Sequence, residues 1–132
     1  VNRLSILVAE DSVKNQELLS LYFRDLPYSL TFVDNGQDAI TAAKQSEFDL
    51  IFMDIQMPIL DGYQATEAIK DWEQTQFGEA RTPIIALTAA AMDEDKNRAF
   101  QAGVDAHISK PVSKAALLKV IKTFEKTEKL AG

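Results

Sequence analysis

The chain has 132 residues, 46% of them hydrophobic, a formal net charge of −6, no cysteine and a single histidine. That length and apolar content suffice for one domain with its own core, while the acidic balance argues against direct nucleic-acid binding, which needs a basic footprint. The missing cysteines remove disulfides, thiolate metal sites and cysteine nucleophiles together, and a lone histidine cannot build a histidine-rich zinc site.

No apolar run approaches the roughly 20 residues that span a bilayer, so the expectation is a soluble, cytoplasmic domain without membrane contact of its own. Val1 in place of Met fits a piece of a longer protein, whose parent could itself be membrane-bound.

The first apolar run, Ile6-Leu7-Val8-Ala9, stops abruptly at Glu10-Asp11. Leu18, Leu19, Tyr22 and Leu26 then recur at helical spacing, and Pro27 is expected to end that helix. Leu30 to Val33 reads as a second strand, closed by the turn signal Asn35-Gly36. Ala39, Ile40 and Ala43 mark a short second helix. Leu50-Ile51-Phe52-Met53 forms a third strand ending at Asp54, and Pro58 with Asp61-Gly62 makes the following loop. Ala65, Ala68, Ile69 and Trp72 give a third helix its apolar stripe. Glu73 to Arg81 is polar and patternless and reads as a surface excursion.

Ile84-Ile85-Ala86-Leu87 is a fourth strand stopping at Thr88. A fourth helix, about Met92 to Ala102, has only a narrow apolar face beside Asp93-Glu94-Asp95-Lys96, which predicts weak docking. Gly103 ends it. Ala106-His107-Ile108-Ser109 leads to Lys110-Pro111. The last helix starts near the N-cap Ser113 and carries Leu117, Val120, Ile121 and Phe124 on one side. Residues 1–125 make the domain, and 126–132 are helix or the start of a linker.

Short apolar runs separated by helices read as buried strands of a parallel sheet. Five such units predict an α/β, doubly wound, flavodoxin-like fold with strand order 2-1-3-4-5 and helices on both faces. Parallel strands end at one edge, so Glu10, Asp11, Asp54, Thr88 and Lys110 should meet there, where open α/β sheets place ligands. Gathered hard oxygen ligands suit Mg²⁺, which binds through one or two carboxylates and accepts phosphate oxygens. A carboxylate can also attack phosphorus to give an aspartyl phosphate, a transfer that relies on positioning and charge neutralisation. Lys110 and Thr88 have the chemistry to hold phosphoryl oxygens.

The set Glu10-Asp11, Asp54, Thr88 and Lys110-Pro111 resembles the receiver domain of two-component response regulators, over about Leu4 to Phe124. Met53-Asp54-Ile55-Gln56-Met57-Pro58 with Asp61-Gly62 is similar to that family's phosphorylation loop. The resemblance implies a signalling phosphoacceptor, not a turnover enzyme, taking a phosphoryl group from a histidine kinase or histidine phosphotransfer domain. It implies Asp54 as phosphoacceptor and direct Mg²⁺ ligand, Asp11 as second direct ligand, and Glu10 as a ligand through water. The Gln56 backbone carbonyl would complete the protein's share. Lys110 would pair with the phosphoryl group, and a cis peptide before Pro111 would turn the chain so that Lys110 reaches the site. Thr88 would be the switch hydroxyl, and the surface of the fourth helix, fifth strand and fifth helix would respond. A weak dimer is compatible with this reading.

His107 departs from the family pattern, which carries Tyr or Phe there. It reads either as a modified switch residue with a near-neutral pKa or as a partly exposed strand residue. The resemblance implies that Gln56 and Ala90 border the path of hydrolytic water; the alternative is ordinary loop filling. Trp72 reads as helix packing and Asp61 as shaping its loop. A phosphatase of the haloacid-dehalogenase type would need a second Asp two residues after the nucleophile, where Gln56 stands. Flavin binding lacks a phosphate loop after the first strand, and a degenerate receiver is at odds with the intact acids. Asn15, Ala65-Thr66 and Thr88-Ala89-Ala90-Ala91-Met92 look like receivers of hybrid sensor histidine kinases, the favoured context.

Overall fold

A computed structural model describes residues 4–57, 59–88 and 101–131, with side chains to Phe124. β1 (Leu4–Ala9), β2 (Tyr28–Val33), β3 (Leu50–Asp54), β4 (Ile84–Thr88) and β5 (Ala106–Ser109) form one parallel sheet in the order β2-β1-β3-β4-β5. α1 (Val13–Phe23), α2 (Gly36–Gln45), α3 (Gly62–Phe77) and the C-terminal helix (Lys114–Ala131) cover it. All strand pairs are parallel, so every strand ends at the same edge. The predicted architecture and order are those observed.

The central strands are apolar on both faces because both are covered. β3 and β4 are buried at every position. Leu7, Ala9, Ile51, Met53, Ile84 and Ala86 pack on Ala39 and Ile40 of α2 and Ala65 and Ile69 of α3. Their alternates Ile6, Val8, Phe52, Ile85 and Leu87 pack on Leu19 and Phe23 of α1 and Leu117 and Ile121 of the C-terminal helix. A one-residue slip of any central strand would exchange these two sets.

Several boundaries move. α1 ends at Phe23 rather than running to Pro27, and Phe23 occupies the core position expected of Leu26. Leu19 and Phe23 are four apart and share a face, which turns Leu18 outward. β2 begins at Tyr28, directly after Pro27, two residues before the expected start. α3 continues to Phe77, so the first half of the expected surface excursion is helix, ended by Gly78 with φ 79°. Glu73, assigned to that excursion, is buried. It follows Ala65 and Ile69 at spacings of four along the buried stripe.

Ser113 accepts from the Ala116 N–H as the N-cap of the C-terminal helix, and helix persists to Ala131, through the expected tail. The fourth predicted helix lies outside the described residues except for Gln101 and Ala102, which are helical. Gly103 follows them with φ 106°.

Candidate functional site

At the carboxyl edge β1 runs into Glu10, whose N–H still pairs with the Val33 carbonyl at 2.9 Å and whose carbonyl accepts from the Gln16 side chain at 2.6 Å. The Glu10 side chain is thereby fixed inward, 1% exposed. It accepts from the Ser12 N–H at 3.1 Å and from the Asn15 side-chain amide at 3.3 Å. Asp54 ends β3 and is 2% exposed; the Ile55 N–H carries the ladder on to Leu87. Asp11 is exposed beside them, and carboxylate oxygens of Glu10, Asp11 and Asp54 lie within 4.8 Å of one another.

Lys110 reaches this cluster from the end of β5. Its N–H donates to the Thr88 carbonyl at 2.7 Å, and its ammonium lies 3.0 Å from Asp54 Oδ1 and 3.3 Å from Glu10 Oε1. The Lys110–Pro111 peptide is cis. Thr88 is buried at the end of β4, opposite Ser109 in the register. His107 pairs with Ala86 and is partly buried. The alternation of side chains along a strand puts His107 and Thr88 on one face of the sheet. Gln56 is exposed, and its N–H donates to Asp54 Oδ1 at 3.2 Å.

Two buried carboxylates beside one ammonium cannot both be held at their ordinary acidity. Burial, reinforced by the neighbouring Glu10 carboxylate, raises Asp54 to about 7 against the pull of Lys110. Glu10 is lowered: burial alone would raise it, but Asp54, the Ser12 N–H and Lys110 outweigh that effect. Lys110 is raised, because attraction to the two carboxylates overcomes its own burial. Glu10 has more donors, so it keeps the charge and Asp54 carries the strain of the pair.

A centre of this make-up fits a hard divalent ion. Three carboxylates converge, and among the described residues one cation, Lys110, offsets the two that are buried. The sequence placed Glu10, Asp11, Asp54, Thr88 and Lys110 at one edge, and the structure brings them together there. Two supporting residues carried no such signal. Gln16 fixes the Glu10 backbone, and Gly62 abuts the phosphoacceptor candidate, since a Cβ there would overlap the Asp54 carbonyl oxygen and crowd Ile55 Cα. The Asp61-Gly62 pair in the loop was the available clue. Asp61 itself N-caps α3 in a capping box with Gln64.

The fold and this edge define a doubly wound, CheY-like protein of the two-component signalling class, with an acidic centre closed by a lysine. More narrowly, the chain belongs to the response regulator receiver domain family, whose model matches residues 6–122. It is 40% identical over 116 residues to the sensor histidine kinase GacS of Pseudomonas protegens, covering 88% of this chain and 12% of that one. It is 33% identical over 122 residues to the signal transduction histidine-protein kinase BarA of Escherichia coli, covering 92% and 13%. The chain thus spans about an eighth of these kinases.

Among solved structures it is similar to the receiver domain of sensor histidine kinase PA1611 from Pseudomonas aeruginosa, which has a magnesium ion in its active-site cleft. The TM-score is 0.82 at 35% identity, over 93% of this chain and 98% of that one. The receiver domain of Ssk1, crystallised with the Saccharomyces cerevisiae histidine phosphotransfer protein Ypd1, gives a TM-score of 0.86 at 35% identity, over 92% and 88%. Receiver domains are signalling phosphoacceptors, not turnover enzymes. Among the described residues, no helix is long and apolar enough to cross a membrane.

Proposed function

We propose that Asp54 accepts a phosphoryl group from a phosphohistidine on a histidine kinase or histidine phosphotransfer protein. A carboxylate oxygen of Asp54 forms the new bond to phosphorus, the P–N bond to the donor imidazole breaks, and its electron pair returns to that nitrogen. The observation that carries this reading is the ammonium of Lys110 at 3.0 Å from Asp54, with Glu10 and Asp11 alongside. Lys110 then pairs with the phosphoryl oxygens, and the Thr88 hydroxyl supplies a hydrogen bond to them.

Glu10, Asp11, Asp54 and the backbone carbonyl of Gln56 would hold Mg²⁺, which supplies charge neutralisation at the transferring group. The magnesium-bearing PA1611 receiver supports this assignment. The switch runs through Thr88, with His107 on the same sheet face as its ring partner, toward the surface of β5 and the helices flanking it. Moving such a switch from 1:99 to 99:1 takes about 5.5 kcal/mol of differential stabilisation. The similarity to GacS and BarA supports a hybrid sensor histidine kinase as the parent, with this domain in the cytoplasm.

Incubation with acetyl phosphate and Mg²⁺, followed by intact-mass measurement, tests the proposal. The wild type should gain one phosphoryl mass increment, dependent on the metal, and Asp54→Ala should gain none. An unmodified wild type, or equal labelling of both proteins, would sink it.

A further inference from the structure

α2 and α3 pack on the same face of the sheet, and each returns to a neighbouring strand at the amino edge, α2 to β3 and α3 to β4. Between the two returns lies a cavity of about 700 Å³. Small-molecule sites usually enclose about 300–1,000 Å³. This one is at the end of the sheet opposite Asp54 and shares no residue with the acid cluster.

Three aromatic side chains, Phe48, Trp72 and Phe77, line it together with Arg81. Trp72 packs edge-on against Phe77, with ring centroids 5.6 Å apart. The Arg81 guanidinium lies over the Phe77 ring, 4.0 Å from its centroid. Stacking engages the flat face of a guanidinium and leaves its in-plane N–H fork free to donate. Glu73 holds the Arg81 backbone N–H, which fixes the root of that side chain. Among the described residues, neither Arg81 nor Lys44, the other cation of the lining, is paired with a carboxylate. Two nearby acids are already spent: Asp49 accepts from the Ser5 N–H, and Glu73 from Arg81 and Thr82. The other two, Glu47 and Glu79, stand exposed.

We infer that this cavity binds a small aromatic monocarboxylate, with the carboxylate on the Arg81 fork and the ring against Trp72 and Phe48. The fork matches a planar anion with two oxygens, and the aromatic walls offer a ring the apolar area it needs. Four acids and two cations line the cavity, so a polyanion such as a nucleotide would be repelled where a single charge is held. An organic cation is the converse ligand, but the Phe77 face on which it would stack is already filled by Arg81. No group of the acid cluster takes part, so Asp54 chemistry and ligand binding can succeed or fail separately.

Trp72 is the only tryptophan of the chain, so in an isotope-labelled sample its indole N–H gives one NMR resonance that reports on the cavity. Phenylacetate titrated into the protein should shift that resonance saturably, with half-saturation at about 1 mM or below. Phenylacetamide, its neutral isostere, should bind about tenfold more weakly. Arg81→Met should weaken phenylacetate about tenfold. It keeps the backbone N–H that Glu73 holds, so its melting temperature should stay within about 2 °C of wild type. Arg81→Lys, which keeps the charge and loses the fork, should weaken phenylacetate about threefold. The absence of a saturable shift up to about 20 mM phenylacetate would overturn the inference. So would equal binding of the amide, or wild-type affinity in either Arg81 variant.

Discussion

The sheet carries buried carboxylates at both of its ends, and the two ends treat them in opposite ways. At the amino edge, Glu73 on α3 accepts from the Arg81 N–H at 3.0 Å, the Thr82 N–H at 3.1 Å and the Thr82 hydroxyl at 2.6 Å. These donors are neutral and local. The result is a clamp that fastens the Gly78–Thr82 segment to the helix ahead of β4. At the carboxyl edge, Asp54 instead faces the Glu10 carboxylate and shares one ammonium with it. Burial is nearly the same at the two ends, so burial alone does not decide how strained a carboxylate is. The difference lies in whether its partners satisfy it or compete with it.

Cutting the satisfied end should cost the most. Glu73→Ala strands the donors of Arg81 and Thr82 and should lower stability by about 3 kcal/mol. Denaturant unfolding reads this, while acetyl phosphate labelling of the folded fraction should be unchanged. At the strained end the sign reverses. Asp54→Asn removes one of two competing charges and should raise the stability of the metal-free protein by about 1–2 kcal/mol. Added Mg²⁺ should then stabilise the variant far less than the wild type, as thermal melts would show. A loss of stability in metal-free Asp54→Asn would mean that the two ends are alike.

Acidity sharpens the same contrast. Asp54 is raised from 3.8 to about 7 on folding, so between those values the native state holds a proton that the unfolded chain has released. The resulting stability is complete below the unfolded value and is lost as pH rises through about 7. Metal-free wild type should therefore be about 1 kcal/mol more stable at pH 6 than at pH 8, with Asp54→Asn lacking that part of the slope. Because protons compete with the metal for Asp54, Mg²⁺ affinity should fall over the same acidification, measurable by titration calorimetry. The smallest effect belongs to the partly exposed Lys70–Asp105 pair near the amino edge, with side chains 16% and 37% exposed. Lys70→Met should cost about 0.5 kcal/mol by denaturant unfolding and leave labelling unaltered.

The crowded carboxyl end was legible in the sequence and the satisfied end was not. Glu10, Asp54, Thr88 and Lys110 each interrupt an apolar run, and parallel strands sharing one edge turn four interruptions into one site. Glu73 interrupts nothing. Its partners are backbone groups of a loop, which leave no pattern, and its neighbours Glu79 and Arg81 made the stretch read as solvated. Its spacing of four from Ile69 was the one sign of burial. The extent of α1 is hidden in the sequence for a related reason: Leu18 and Leu26 are as apolar as Leu19 and Phe23, and only the packing against β1 and β3 chooses between them. Backbone devices such as the φ of 69° at Ile59 leave no trace in residue type, since that position would suit Gly or Asn better.

The contact between Gly62 and the Asp54 carbonyl has a mechanical consequence. With only a hydrogen atom between the first residue of α3 and the backbone that bears the acid, and with the Gly62 N–H tied to Ile55, the proposed phosphoacceptor is braced directly against that helix. Chemistry at Asp54 has no slack to push against on that flank. If Asp54 is phosphorylated as proposed, the displacement is expected across the gap, at the strand ends bearing Thr88 and Lys110, with one side of the site acting as an anvil and the other as a lever.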